Sequence, residues 1–130
     1  MTPDTLAWLV QQSDLVMLTL DNQGRLTGLN PAAEKLFGGD AASLRGQLLT
    51  TVLDEFSRAK AALMLERVRE QGRVDDWELD HVPPAGLPVL VSYTATRLRA
   101  PNGQVVGVAA IGRRQSAQLE LTVQLAQANQ

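Results

Sequence analysis

Short apolar runs separated by polar, glycine-bearing turns fill the first third of the chain, and one long helical rhythm occupies its middle. Residues 3–12 predict a first helix, with Thr2 as its N-cap, a proline in its first turn and Leu6, Leu9 and Val10 along one side. Residues 15–20 and 25–29 are apolar-rich runs around Asp21-Asn22-Gln23-Gly24, the pattern of a hairpin. Asn30-Pro31 then predicts a capped helix over residues 31–37, ended by Gly38-Gly39. A further helical turn is expected over residues 41–44, closed by Gly46, while residues 48–53 are apolar without a clear period and stay unassigned.

The pattern over residues 54–71 is that of a long helix, with Phe56, Leu63, Met64 and Val68 expected to face inward and Gly72 just past its end. Three strands are expected after it, over residues 74–82, 87–99 and 104–111. They are punctuated by Pro83-Pro84-Ala85-Gly86 and by Pro101-Asn102-Gly103. Residues 113–130 contain neither Gly nor Pro and set Leu119, Val123 and Ala126 on one stripe, which reads as a helix with a face to bury. The order predicts an α+β fold: one five-stranded antiparallel sheet with helices on one face and a flanking helix at each end. Residues 1–13 are the expected N-terminal flank, 14–112 the core domain, and 113–130 a C-terminal signalling or linker helix that continues in a longer native chain.

Composition narrows the function classes. Twelve basic and fourteen acidic residues leave a net charge of −2, which offers no field for a phosphate backbone, so no direct nucleic-acid partner is expected. With no cysteine there is no disulfide, thiolate metal site, thiol nucleophile or cysteinyl–flavin adduct. The N-terminus lacks a basic leader, and the longest apolar run, residues 105–111, is about a third of a membrane span. A cytoplasmic protein with no membrane span in this chain is the expectation.

The segment Asp21-Asn22-Gln23-Gly24-Arg25-Leu26-Thr27-Gly28-Leu29-Asn30-Pro31-Ala32-Ala33-Glu34-Lys35-Leu36-Phe37-Gly38 resembles the D-x-x-G-R-[IL]-x-x-x-N-x-A-x-x-x-[LF]-x-G pattern of the PAS sensory domains. The resemblance continues through Leu44-Arg45-Gly46 and through Asn102-Gly103-Gln104-Val105-Val106-Gly107, and covers nearly the whole chain. Asp21, Gly24, Asn30, Gly38, Gly46 and Gly103 are its structural residues. The resemblance implies a non-catalytic sensory module of a bacterial-type signal-transduction protein, such as a two-component system. It also implies a ligand pocket and an output domain beyond residue 130. Apolar stripes on both flanking helices point to a homodimer held by Leu6, Leu9, Val10, Leu119, Val123 and Ala126, coiled-coil fashion. The exit from the last strand, Ile111-Gly112-Arg113-Arg114, differs in chemistry from the Asp-Ile-Thr-like exit of many members.

Candidate chemistry is sparse. The one histidine, His81, beside Asp80, reads either as a general base or metal ligand, or as a partly exposed residue at a strand end. The second reading is favoured, because no motif places a nucleophile for it. Strand alternation puts Asp76, Glu78 and Asp80 on one face and Asp75, Trp77 and Leu79 on the other, and a solvated acidic face is favoured over a metal site. An enzyme built on His81 and these carboxylates is disfavoured.

The resemblance implies that a haem-binding member would place a histidine on the long helix, where none occurs, and Met64 reads as core rather than as an iron ligand. No cofactor is predicted. A non-covalent flavin near Trp77 is the minority reading, and a small-molecule sensor is the first alternative. The candidate pocket residues, between the long helix and the inner sheet face, are Leu63, Met64, Trp77, Tyr93 and Val108.

Overall fold

The computed structural model describes residues 2–83 and 86–115. In chain order the elements are α1 (Pro3–Gln12), β1 (Val16–Asp21), β2 (Leu26–Leu29), α2 (Pro31–Phe37), α3 (Ala41–Leu44), α4 (Leu49–Val52), α5 (Glu55–Gln71), β3 (Arg73–His81), β4 (Val89–Arg99) and β5 (Val105–Arg114). The five strands form one antiparallel sheet in the order β2-β1-β5-β4-β3. Helices α2 to α5 cover its inner face, as expected for this α+β architecture.

Local chemistry sets the first half. The Asp21 carboxylate accepts from the backbone N–H of Gln23 and of Arg25, each at 2.9 Å, and closes the β1–β2 turn. Gly24 completes that turn at φ +82°, a region closed to most side chains. The first helix is capped as expected, the Thr5 N–H donating to Thr2 Oγ1 at 3.2 Å. Asp40 and Asp54 cap α3 and α5 in the same way. Residues 48–53, which carry no clear period, hold α4, one helical turn with no side-chain cap and Leu49 buried, formed by packing rather than by local signals.

The long helix is rotated from expectation. Ser57, Ala61, Met64, Leu65 and Val68 face the sheet. Phe56 and Leu63 lie roughly 100° or more around the helix from that stripe, and are 93% and 44% exposed, so neither is inward as expected. The small residues Ser57 and Ala61 set the phase, because they let α5 approach the sheet closely, whereas apolar size had pointed to Phe56.

The strand ends also shift. Pro83 and Pro88 cannot donate to a ladder, so β3 stops at His81 and β4 starts at Val89, leaving Val82 and Leu87 exposed outside it. The expected turn at 83–86 lies partly outside the described residues. At the other end β5 continues through Arg113 and Arg114, which pair with Ser92 and Val91, so the expected helix does not begin at Arg113. The length of β4 supplies these partners, and the Gln115 N–H adds a further bond to the Leu90 carbonyl at 2.9 Å. Leu119, Val123 and Ala126 lie outside the described residues.

Candidate functional site

Of the five expected pocket residues, Met64, Tyr93 and Val108 are buried together between α5 and the inner sheet face, where they belong to the packed core. Trp77 is half-buried, its indole N–H donating to the Lys60 carbonyl at 3.1 Å, and Leu63 faces away from them. The space between α5 and the sheet opens further along, beside Val108, as a cleft of about 270 Å³ at the C-terminal half of the helix. Leu65 and Val68 line it from α5, and Asp21, Asn22, Arg69 and Arg97 stand around it.

At the opposite end of the core, His81 is 2% exposed rather than partly exposed. Its Nε2 shares a 2.8 Å hydrogen bond with the Tyr93 hydroxyl, and the Phe37 ring meets it edge-on at 5.3 Å. Burial pushes the His81 pKa down to about 4; Asp54 opposes the shift and Arg114 adds to it. Burial likewise pushes the Tyr93 phenol up. His81 is therefore a neutral, enclosed imidazole at neutral pH, with its Nε2 engaged by a protonated tyrosine. Its burial was legible in one respect: it shares strand parity with Trp77 and Leu79, the apolar side of β3.

The acidic face is not a simple alternation. A bulge between Val74 and Trp77, with Asp76 at φ +53°, turns Val74 and Trp77 to the same side and leaves Asp75, Asp76, Glu78 and Asp80 exposed. Asp75 pairs with Arg73 at 2.9 Å, a hydrogen bond that holds its carboxyl below the ordinary value. Among the described residues no three His, Cys, Asp or Glu side chains come together as a metal site would require.

Asn30 does more than cap. It is 1% exposed, and its Oδ1 accepts from the N–H of Ala33 at 3.1 Å and of Met17 at 3.0 Å. Its Nδ2 donates to the carbonyls of Leu15 at 2.7 Å and Val10 at 3.3 Å, so one side chain ties α1, β1 and α2 together. The sequence motif marked the residue for its cap, but the reach to Val10 and Leu15 depends on tertiary placement. Of the remaining motif residues, Gly38, Gly46 and Gly103 all sit at positive φ.

Helix α1 buries none of its residues. Leu6, Trp8 and Leu9 are 54%, 60% and 42% exposed, and Val10 is half-buried beside Met17, Thr19 and Ile111 on the outer sheet face. Among the described residues, no helix is long and apolar enough to cross a membrane.

A five-stranded antiparallel sheet in this order, with helices over one face, is the α+β architecture expected of a PAS domain. The chain belongs to the PAS family: the family model described as PAS fold matches residues 10–118. Solved structures agree at the level of fold. The PAS domain of a Colwellia psychrerythraea protein superposes with a TM-score of 0.73 at 18% identity, covering 86% of this chain and 95% of that one. An RNA-binding Light-Oxygen-Voltage receptor gives 0.77 at 18% identity, over 98% of this chain and 37% of that one. The Vibrio cholerae VqmA dimer gives 0.73 at 22% identity, over 95% of this chain and 57% of that one. The chain thus spans well under two thirds of the two larger proteins. No curated relative matches the sequence.

Proposed function

We propose that this chain is a non-catalytic regulatory module that homodimerises through α1 and its C-terminal segment and relays a signal to an output domain. The observation that carries this reading is the unburied apolar side of α1. Leu6, Trp8 and Leu9 stay in water beside an outer sheet face that also exposes Ile111. A 10-residue helix with no buried residue gains little stability alone and is accounted for by a second surface. The similar VqmA is described as a dimer, which supports the reading by analogy of fold. A cytoplasmic setting and a place in a two-component system belong to the same proposal.

Sedimentation velocity at about 100 µM is the test, because a dimer of modest affinity is populated there. The dimer is expected in the full chain, and Leu6→Glu with Leu9→Glu is expected to shift it to monomer. A full chain that remains monomeric, with or without residues 116–130, overturns the reading.

The cleft beside Val108 favours a second reading, in which the module also senses a small molecule. A non-covalent flavin is its most easily checked form: an absorption band above about 300 nm in fresh protein, from an extended conjugated ring, would support it.

A further inference from the structure

The cleft at the C-terminal half of α5 has a particular chemical character. Its floor is apolar, made by Leu65, Val68 and Val108, and its volume of about 270 Å³ equals that of about nine liquid waters at roughly 30 Å³ each, the scale of a small organic molecule. Two arginines stand at its edge. Arg69 donates to the Asn22 carbonyl at 3.2 Å, and Arg97 donates to the Arg69 carbonyl in the last turn of α5. A guanidinium carries five donors, so each of these contacts leaves most of the fork unused. Among the described residues neither arginine pairs with a carboxylate; the ion pair there is Arg73 with Asp75.

Asp21 stands on the same rim, but its Oδ1 is turned onto the backbone N–H groups of Gln23 and Arg25. The Arg25 N–H bond is the main reason its carboxyl is held below the ordinary value, so it stays ionised and engaged in its own turn. The rim therefore keeps one net positive charge above an apolar floor. Gly107 leaves part of the wall as bare backbone, because a Cβ there would collide with the Leu20 carbonyl oxygen where β5 meets β1.

We propose that this cleft binds a small organic acid, with its hydrocarbon body on Leu65, Val68 and Val108 and its carboxylate between Arg69 and Arg97. The planar fork of arginine suits a carboxylate, and a small inorganic anion would leave the apolar floor wet. The proposal rests on the sensory reading of the fold and supplies the class of molecule sensed.

The test is an amide NMR titration of the full chain with hexanoate, and in parallel with hexan-1-ol and with inorganic phosphate. Hexanoate is expected to give saturable shifts centred on Leu65, Val68, Val105 and Val108, with the alcohol and phosphate each about tenfold weaker or more, for want of the charge pair or the apolar body. Arg69→Gln, at an exposed position, is expected to weaken hexanoate about tenfold and leave hexan-1-ol unchanged, with Arg69→Lys in between.

Three results would overturn the site: no saturable shift up to about 10 mM hexanoate, equal binding of the alcohol, or shifts centred on His81. Occupancy is read here independently of assembly. A monomer that binds hexanoate removes the dimeric relay and keeps the site, and a dimer that ignores hexanoate does the reverse.

Discussion

Between Asp21 and Gly46 most of the shaping contacts join near neighbours: Asp21 with Gln23 and Arg25, Asn30 with Ala33, Asp40 with Ser43. At the far end of the sheet His81 and Tyr93 are brought together from neighbouring strands, twelve positions apart, against a ring from α2. The first region is specified by residue types that carry their own turn and cap chemistry. The second exists only once the sheet has formed and α2 has closed over it. One therefore builds the scaffold, and the other places a titratable pair inside it.

Asn30 belongs to both regimes, and removing it is the largest expected perturbation. Asn30→Ala leaves two backbone donors and two carbonyls without their side-chain partner at a buried site, and a loss of about 4 kcal/mol is expected. Urea unfolding at fixed protein concentration measures it. A loss near 1 kcal/mol, the worth of a cap alone, would show that the links to Val10 and Leu15 contribute nothing and that the region is local throughout.

That boundary between near and far contacts also explains how much of the molecule its sequence discloses. The hairpin turn, α2 and α3 follow from Asp, Asn, Pro and Gly at fixed offsets, and they occur at or within one residue of expectation. The phase of α5 does not follow, because Ser57 and Ala61 face inward for reasons of close approach that no periodicity of large apolar residues records. The bulge at Asp76 is equally silent, since an extra residue in a strand changes parity without changing composition. At the candidate site, Met64, Tyr93 and Val108 were legible as inward residues, whereas the cleft was not. It arises from where α5 ends relative to the β1–β2 turn, and no spacing in the sequence brings Arg69 and Arg97 together.

The buried pair supplies the second prediction. Native His81 titrates at about 4 and an unfolded histidine near 6.5, so the unfolded chain binds more protons throughout that window. Stability therefore rises with pH from about 4 to 6.5 and is flat in this respect above it, with a full difference of up to ~3 kcal/mol. Burial sets the direction, with Asp54 opposing and Arg114 reinforcing. Denaturant midpoints across this range, compared with those of His81→Gln, isolate the contribution, because carboxylate titrations are common to both chains. Parallel profiles for the two would place His81 with the exposed groups and erase the contrast between the regions.

The smallest effect is the most discriminating. Tyr93→Phe keeps the ring in its packed place and removes only the hydroxyl, so a destabilisation of about 1 kcal/mol is expected. In the tautomer with a bare Nε2, the protonated phenol is the donor, and this bond favours the neutral imidazole. Its loss frees Nε2 to take a proton, and the His81 midpoint, followed by NMR, is expected to climb only slightly above about 4, because burial, the main cause of the shift, remains. The pH-dependent window of stability then narrows from its acid end. A midpoint that stays put while stability falls would assign the whole shift to desolvation by Phe37 and the surrounding core, and the hydroxyl would then serve packing alone. A midpoint that climbs makes Tyr93 part of what keeps the imidazole neutral, an interaction that only the folded sheet can make.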